Sequence, residues 1–403
     1  MSALIDQLAP EAGLPEDSYV QVRRRAQSHL MSHGFPDMKT EAWKYTSLRV
    51  LEKRQFKGDA QRPVPSCVLP FEADILAFDN GRFNAKKSTL PDGVRLEPLD
   101  AAALDSVDYG GREDAFAWLN LARFDQAWRL VIDAELSRPL VLAFAASEDF
   151  SGAAHPRLHI ELTANASASL IEWQHGQGEG LVNLVEQIHL NRNARLHHLV
   201  QRQLGELAWV QRTDVSICRD AVYRFHALDG AGRLVRQNLT LNLQEPGAHG
   251  EIDGVALLDS RQHVDYHTEI NHQIGQTTSR ESFRMMADGS GVGVFNGRIH
   301  IARGADDSHS DLNTGNLLLS DSARINIKPE LEIYAEDVTA SHGATIGQLE
   351  DTALFYMRSR GIPTREAMAL LKFGFAAAPL ENIENETLRD WLLAQLNDHL
   401  GSS

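Results

Sequence analysis

NLTLNL, residues 238–243, alternates strictly: Leu239, Leu241 and Leu243 fall on one face, Asn238, Thr240 and Asn242 on the other. Period-2 alternation is the pattern of a strand with one covered face. RINIKPELEIYAED (324–337) repeats it with Ile325 and Ile327, then with Leu331 and Ile333 beyond Pro329. GRIHIARG (297–304) repeats it again with Ile299 and Ile301. From about Arg157 onward such segments recur roughly every dozen residues, divided by turns such as EPGAHG (245–250) and DGSGVG (288–293), with no helix-period segment between them. A run of this kind predicts a β-sandwich, a barrel or a β-solenoid. Polar outer faces rich in Asn, Thr, His and Gln, over small aliphatics, favour stacked solenoid coils with capped ends.

The flanks read differently. In EDSYVQVRRRAQSHLMSHGFP (16–36), Asp17 or Ser18 offers an N-cap, Val20, Val22, Ala26 and Leu30 follow, and Gly34 and Pro36 supply the stop. Further helical pieces are expected within KTEAWKYTSLRVLEK (39–53) and EDAFAWLNLARF (113–124). After Gly347 the pattern turns helical again. A short helix closes at Gly361, a second starts at Pro363–Thr364 with Ala367, Leu370 and Leu371 on one stripe, and a third carries Leu388, Trp391, Leu392, Gln395 and Leu396. The division expected is therefore a mixed helical region over 1–150, a β-solenoid core over 151–345 and a helical unit over 346–403.

Composition narrows the function classes. The chain has 403 residues, 43% of them apolar and 23% charged, and a formal net charge of −16, which argues against nucleic acid or an anionic membrane as partner. No apolar run reaches bilayer length. MSALIDQLAPEAGLPED (1–17) lacks the basic-then-apolar order of a secretory signal, so a cytoplasmic location is expected. The two cysteines, Cys67 and Cys218, form neither a disulfide framework nor a CxxC metal site. ADGSGVGVFNG (287–297) lacks the Gly-Lys-Ser/Thr ending of a phosphate loop, and neither a GxSxG elbow nor an HExxH pair is present. Seventeen histidines invite a metal reading. His263 and His267 would share a strand face about 13 Å apart, too far for one ion, and His197 and His198 would point to opposite faces. Surface or turn positions are the expectation for them. A different class of function, a solenoid enzyme acting on polysaccharide, would draw on Asp306, Asp307 and Asp311 near His309 in ADDSHSD (305–311).

GVFNGRIHIA (293–302), LLLSDSARINIKPELEIYAEDV (317–338), SHGATIG (341–347) and LFYMRSRGI (354–362) closely resemble the SufB/SufD family of iron–sulfur cluster assembly proteins. EAWKYTSL (41–48) and WLNLARF (118–124) look like its SufD branch, whereas the likeness is loose between about 60 and 260. The resemblance implies a right-handed parallel β-helix between N-terminal and C-terminal helical regions. It also implies a non-catalytic scaffold that pairs with SufB through the β-helix and docks the SufC ATPase through the C-terminal helices. Iron or an iron–sulfur cluster would be held transiently with SufB, reduced flavin would be associated with the complex, and no cofactor would be bound by this chain alone. A purely structural homodimer is the other assembly this resemblance leaves open.

Relatives in that family often carry Cys-Ser-His-Gly where this chain has Ala340-Ser341-His342-Gly343, so a role for the thiol does not carry over and a role for His342 does. By residue type alone, a strand-end histidine satisfied by one hydrogen bond is the simpler reading. The motif match shifts it to a contributed metal or cluster ligand, since a neutral imidazole whose other nitrogen is fixed binds iron well. If 337–343 is a strand, Val338, Ala340 and His342 share a face, and the valine marks that face as inward or covered. Candidate SufC-docking residues are Phe355, Tyr356, Arg358, Arg360 and Gly361.

Overall fold

The alternating stretches form two sheets that face each other across a shared interior in the computed structural model, which describes residues 2–10, 14–58, 60–230 and 232–402. Apart from two short antiparallel pairings at its start, neighbouring strands in each sheet run parallel, as coils of one β-solenoid of about 8 turns. Each turn places one strand in each sheet. Arg195–Leu204, Val222–Asp229, His249–Leu258, Thr278–Ala287, Ser308–Leu318 and Val338–Gly347 follow one another in the first sheet. Leu181–Leu190, Ala208–Ile217, Leu234–Leu243, His263–His272, Val292–Ile301 and Arg324–Ile333 do so in the second. The first strand to join the ladders is Asp74–Asp79, which pairs in parallel with Leu140–Ala146.

Side-chain parity fills the lumen. Leu239, Leu241 and Leu243 are fully buried there, in register with Thr213, Val215 and Ile217 of the preceding coil. The same faces supply Tyr223 and Phe225 from the opposite wall. Parallel sheets need both faces covered, and each sheet has its own cover. Helices Val20–His33 and Ala115–Arg123 lie on the outer face of the second sheet, against Leu181, Val185, Ala208, Val210 and Leu234. The last two helices, Thr364–Ala377 and Glu386–Ser402, fold back over the outer face of the first sheet. There Ala376, Leu388, Trp391, Leu392 and Leu396 meet Ile171, Leu199, Leu228 and Val255. Among the described residues, no helix is long and apolar enough to cross a membrane.

Several local readings shift. The first long helix begins at Val20 with Tyr19 as its N-cap; Asp17 instead accepts the Tyr19 N–H at 2.9 Å. Residues 39–53 hold only two short pieces, Glu41–Trp43 and Arg49–Glu52, because their side chains are committed to the second sheet. The Arg236 guanidinium lies 3.9 Å from the Trp43 ring centre, and Thr46 Oγ1 donates to Asp265. Pro329 does not divide its strand, which runs unbroken over Arg324–Ile333. That strand is at the sheet edge, where a missing N–H is tolerated.

Candidate functional site

The solenoid ends on an open coil. Val338–Gly347 pairs only with Ser308–Leu318, and Arg324–Ile333 only with Val292–Ile301, so at this end each sheet presents a strand edge without a partner among the described residues. Inward parity continues to the end, yet cover runs out. Val338 and Ala340 still pack against the lumen core, whereas Tyr334 (58%) and Ile346 (50%) are exposed. An exposed edge with apolar side chains invites another strand.

His342 stands on this edge. It shares the inward parity of Val338 and Ala340, in register with the buried Leu312 one coil below, but it is exposed because no further coil covers it. The expected shared face is present; the expected cover is not. Neighbours hold the segment in place. Ser341 donates to Asp311, and Asp306 accepts the Glu336 and Asp337 N–H groups at 3.1 and 3.2 Å. Asp306 and Asp311 thus fix the last turn, as acidic residues in a polar solenoid turn would. A cleft of about 540 Å³ on the second sheet offers acids too, but Arg129 binds both Glu97 (3.0 Å) and Glu161 (2.6 Å) within it.

Past the open coil, helix Asp351–Ser359 buries none of its side chains. Phe355 is 72% exposed, Tyr356, Arg358 and Arg360 are exposed as well, and the Arg360 guanidinium sits 4.6 Å from the Tyr356 ring centre. Gly361 turns the chain at φ 87°, a left-handed conformation that glycine adopts without strain. Core packing therefore does not account for Phe355, whereas Leu354 and Met357 are half-buried.

The histidines largely contradict their expected surface positions. His198, His226 and His272 are fully buried, and His263 and His267 flank Asp265 beneath the 41–48 segment. His267 Nε2 is 3.1 Å from Asp265 Oδ1 and His263 Nε2 is 2.9 Å from Thr46 Oγ1. Burial alone would raise Asp265, but Arg236 at 2.6 Å and the two imidazoles hold its carboxyl well below the usual range. The opposite faces expected for His197 and His198 are found: His198 points into the lumen toward Tyr223, while His197 contacts His226 outside it at 3.1 Å. Both cysteines are remote from His342. Cys67 packs under the C-terminal helices, where burial pushes its thiol up to about 12, and Cys218 lies 3.8 Å from His189 just after strand Ala208–Ile217.

Polar groups also occupy the lumen, which the alternation pattern hid. Glu281 is fully buried two coils below His342, and burial pushes its carboxyl up to about 8 from about 4.5. A folded-state pKa raised in this way stabilises the fold below pH 4.5, and that contribution is lost as pH rises toward 8. Stability is expected to fall by about 3 kcal/mol between pH 5 and 7.5 from this group. Glu281→Gln should flatten the fall. Urea unfolding of both proteins at the two pH values checks it, and identical pH dependence would contradict a neutral buried Glu281.

Comparison with known proteins follows the same lines. The family described as "SUF system FeS cluster assembly, SufBD core domain" matches residues 144–375. The chain is 28% identical over 397 residues to the iron–sulfur cluster assembly protein SufD of Escherichia coli, covering 93% of this chain and 92% of that one. It is 30% identical over 423 residues to an iron–sulfur cluster assembly SufBD family protein of Synechocystis, covering 96% and 92%. SufD of Bacillus subtilis is 28% identical over 221 residues, 54% of this chain and 50% of that one. A matched core that covers most of the solenoid, with likeness to relatives over nearly the full chain, places the chain in the SufBD family of iron–sulfur cluster assembly proteins, on its SufD branch.

Proposed function

We propose that this chain is a non-catalytic, cytoplasmic scaffold subunit that pairs with a SufB-type β-helix through its open last coil and docks the SufC ATPase through helix Asp351–Ser359. The open coil carries the reading. Two unpaired strand edges, with Ile346 and Tyr334 exposed beside His342, present main-chain donors and acceptors together with apolar cover for another solenoid. A cluster is cargo in this scheme. His342 offers one imidazole, and the two cysteines lie elsewhere, so the thiolates that clusters require come from the partner.

Ile346→Asp tests the pairing. The residue is half exposed, so the isolated chain should keep its melting temperature, while a charge set into an apolar strand edge should abolish co-purification with SufB. Capture of SufC should persist. Unchanged recovery of SufB would overturn the assignment of this edge. A variant that loses self-association but still recovers SufB would assign the edge to a homodimer instead.

A further inference from the structure

Several coils below the open end, two carboxyl groups and an imidazole converge inside the lumen. Glu172 and His198 project from the first sheet, on strands Ser167–Gly176 and Arg195–Leu204, and Glu186 from the second, on Leu181–Leu190. All three are fully buried, and one ligand atom from each lies within 4.8 Å of the others. His198 Nδ1 is 2.9 Å from the Tyr223 hydroxyl, and Nε2 faces Glu172 Oε1 at 2.6 Å. With Nδ1 engaged by Tyr223, Nε2 is the ring nitrogen that faces the carboxyl groups. Glu186 Oε2 accepts from Gln211 at 2.9 Å and Thr213 at 3.1 Å, while Glu186 Oε1 meets no N–H donor and the Glu172 and Glu186 carboxyl groups lie within hydrogen-bonding reach of each other.

Charge completes the picture. The nearest guanidinium, Arg202, is committed through Nη1 to Asp229 at 3.1 Å, with its remaining donors on Gln174, Gln211 and Gln237. Gln211 Nε2 bridges to Glu172 as well, at 3.0 and 3.2 Å. Two buried carboxyl groups therefore face each other across one imidazole, with neutral amides around them. Two oxygens and one nitrogen, oriented by a surrounding set of fixed donors, suit a borderline divalent ion.

We propose that Glu172, Glu186 and His198 bind one divalent first-row transition metal ion inside the β-helix. The ion ties the two sheets together across the lumen. It is separate from the open coil, because strands Val222–Asp229, His249–Leu258, Thr278–Ala287 and Ser308–Leu318 intervene before His342. Phe225 and Leu170 flank His198 in register on the neighbouring coils.

Cobalt(II) is a suitable probe. The full chain is produced in minimal medium with cobalt as the added first-row metal, then dialysed against a chelator. About one equivalent per chain should remain, with an X-ray absorption shell of nitrogen and oxygen, imidazole scattering and no sulfur. Glu186→Gln keeps the shape and hydrogen-bonding of the site but supplies a poor ligand, and should retain less than about a tenth of that cobalt. Failure of the wild-type chain to hold cobalt, a sulfur-containing shell, or full retention by folded Glu186→Gln would each overturn the proposal. If Glu186→Gln does not fold, the wild-type stoichiometry and shell decide alone.

Discussion

His342→Ala is expected to leave the SufB–SufC–SufD assembly intact and to lower its rate of cluster formation by about 10–100-fold, the scale on which metal sites respond to a lost supporting group. The structural cost should be small. His342 is exposed on an edge strand and fills no cavity, so its removal creates none. What it supplies is position: the strand holds it in register above Leu312, and Ser341–Asp311 with the Asp306 backbone contacts fix the segment. Anaerobic reconstitution with iron and a sulfur donor, followed by absorption and acid-labile sulfide, reads the effect. A rate equal to wild type in a fully assembled complex would remove His342 from the cluster site.

Phe355→Ala should weaken SufC capture by at least about 30-fold while the melting temperature of the isolated chain stays within experimental error. Interface anchors of this type carry about 2 kcal/mol or more. No intramolecular role competes with that reading, since helix Asp351–Ser359 buries no side chain and Phe355 is largely solvent-exposed. Point substitution is the better probe than deletion of residues 350–403. Deletion would strip Trp391, Leu392 and Leu396 from the first sheet and expose Ile171, Leu199 and Val255, so lost capture could follow from unfolding. Unaltered SufC binding by Phe355→Ala, measured by titration calorimetry, would move the docking surface away from this helix.

Much of this architecture was legible in NLTLNL and its relatives, because a strand with one covered face must alternate. The coil repeat was harder to see. Asn165, Asn193, Asp220 and Gly247 each adopt a left-handed conformation, and each is followed by a buried alanine, Ala166, Ala194, Ala221 and Ala248. One left-handed residue and one small one are all a corner requires, so a weak signal spread over different residue types marks each turn. Histidines were misplaced for a related reason. A lumen that admits Glu172, His198, Arg202 and Glu281 on the inward parity breaks the equation of polar with outward, and only the three-dimensional pairing shows which partners satisfy them. For His342, parity came from the strand and exposure did not. Local sequence carries no mark of which coil is the last.

Photo-cross-linking reads out what the last coil and the helix after it touch in the assembled complex. A benzophenone amino acid placed at position 346 or at position 355 reports its nearest neighbour in the assembled complex. Cross-links from 346 to SufB and from 355 to SufC are the predicted result. A SufC adduct from position 346, or a SufB adduct from position 355, would contradict it.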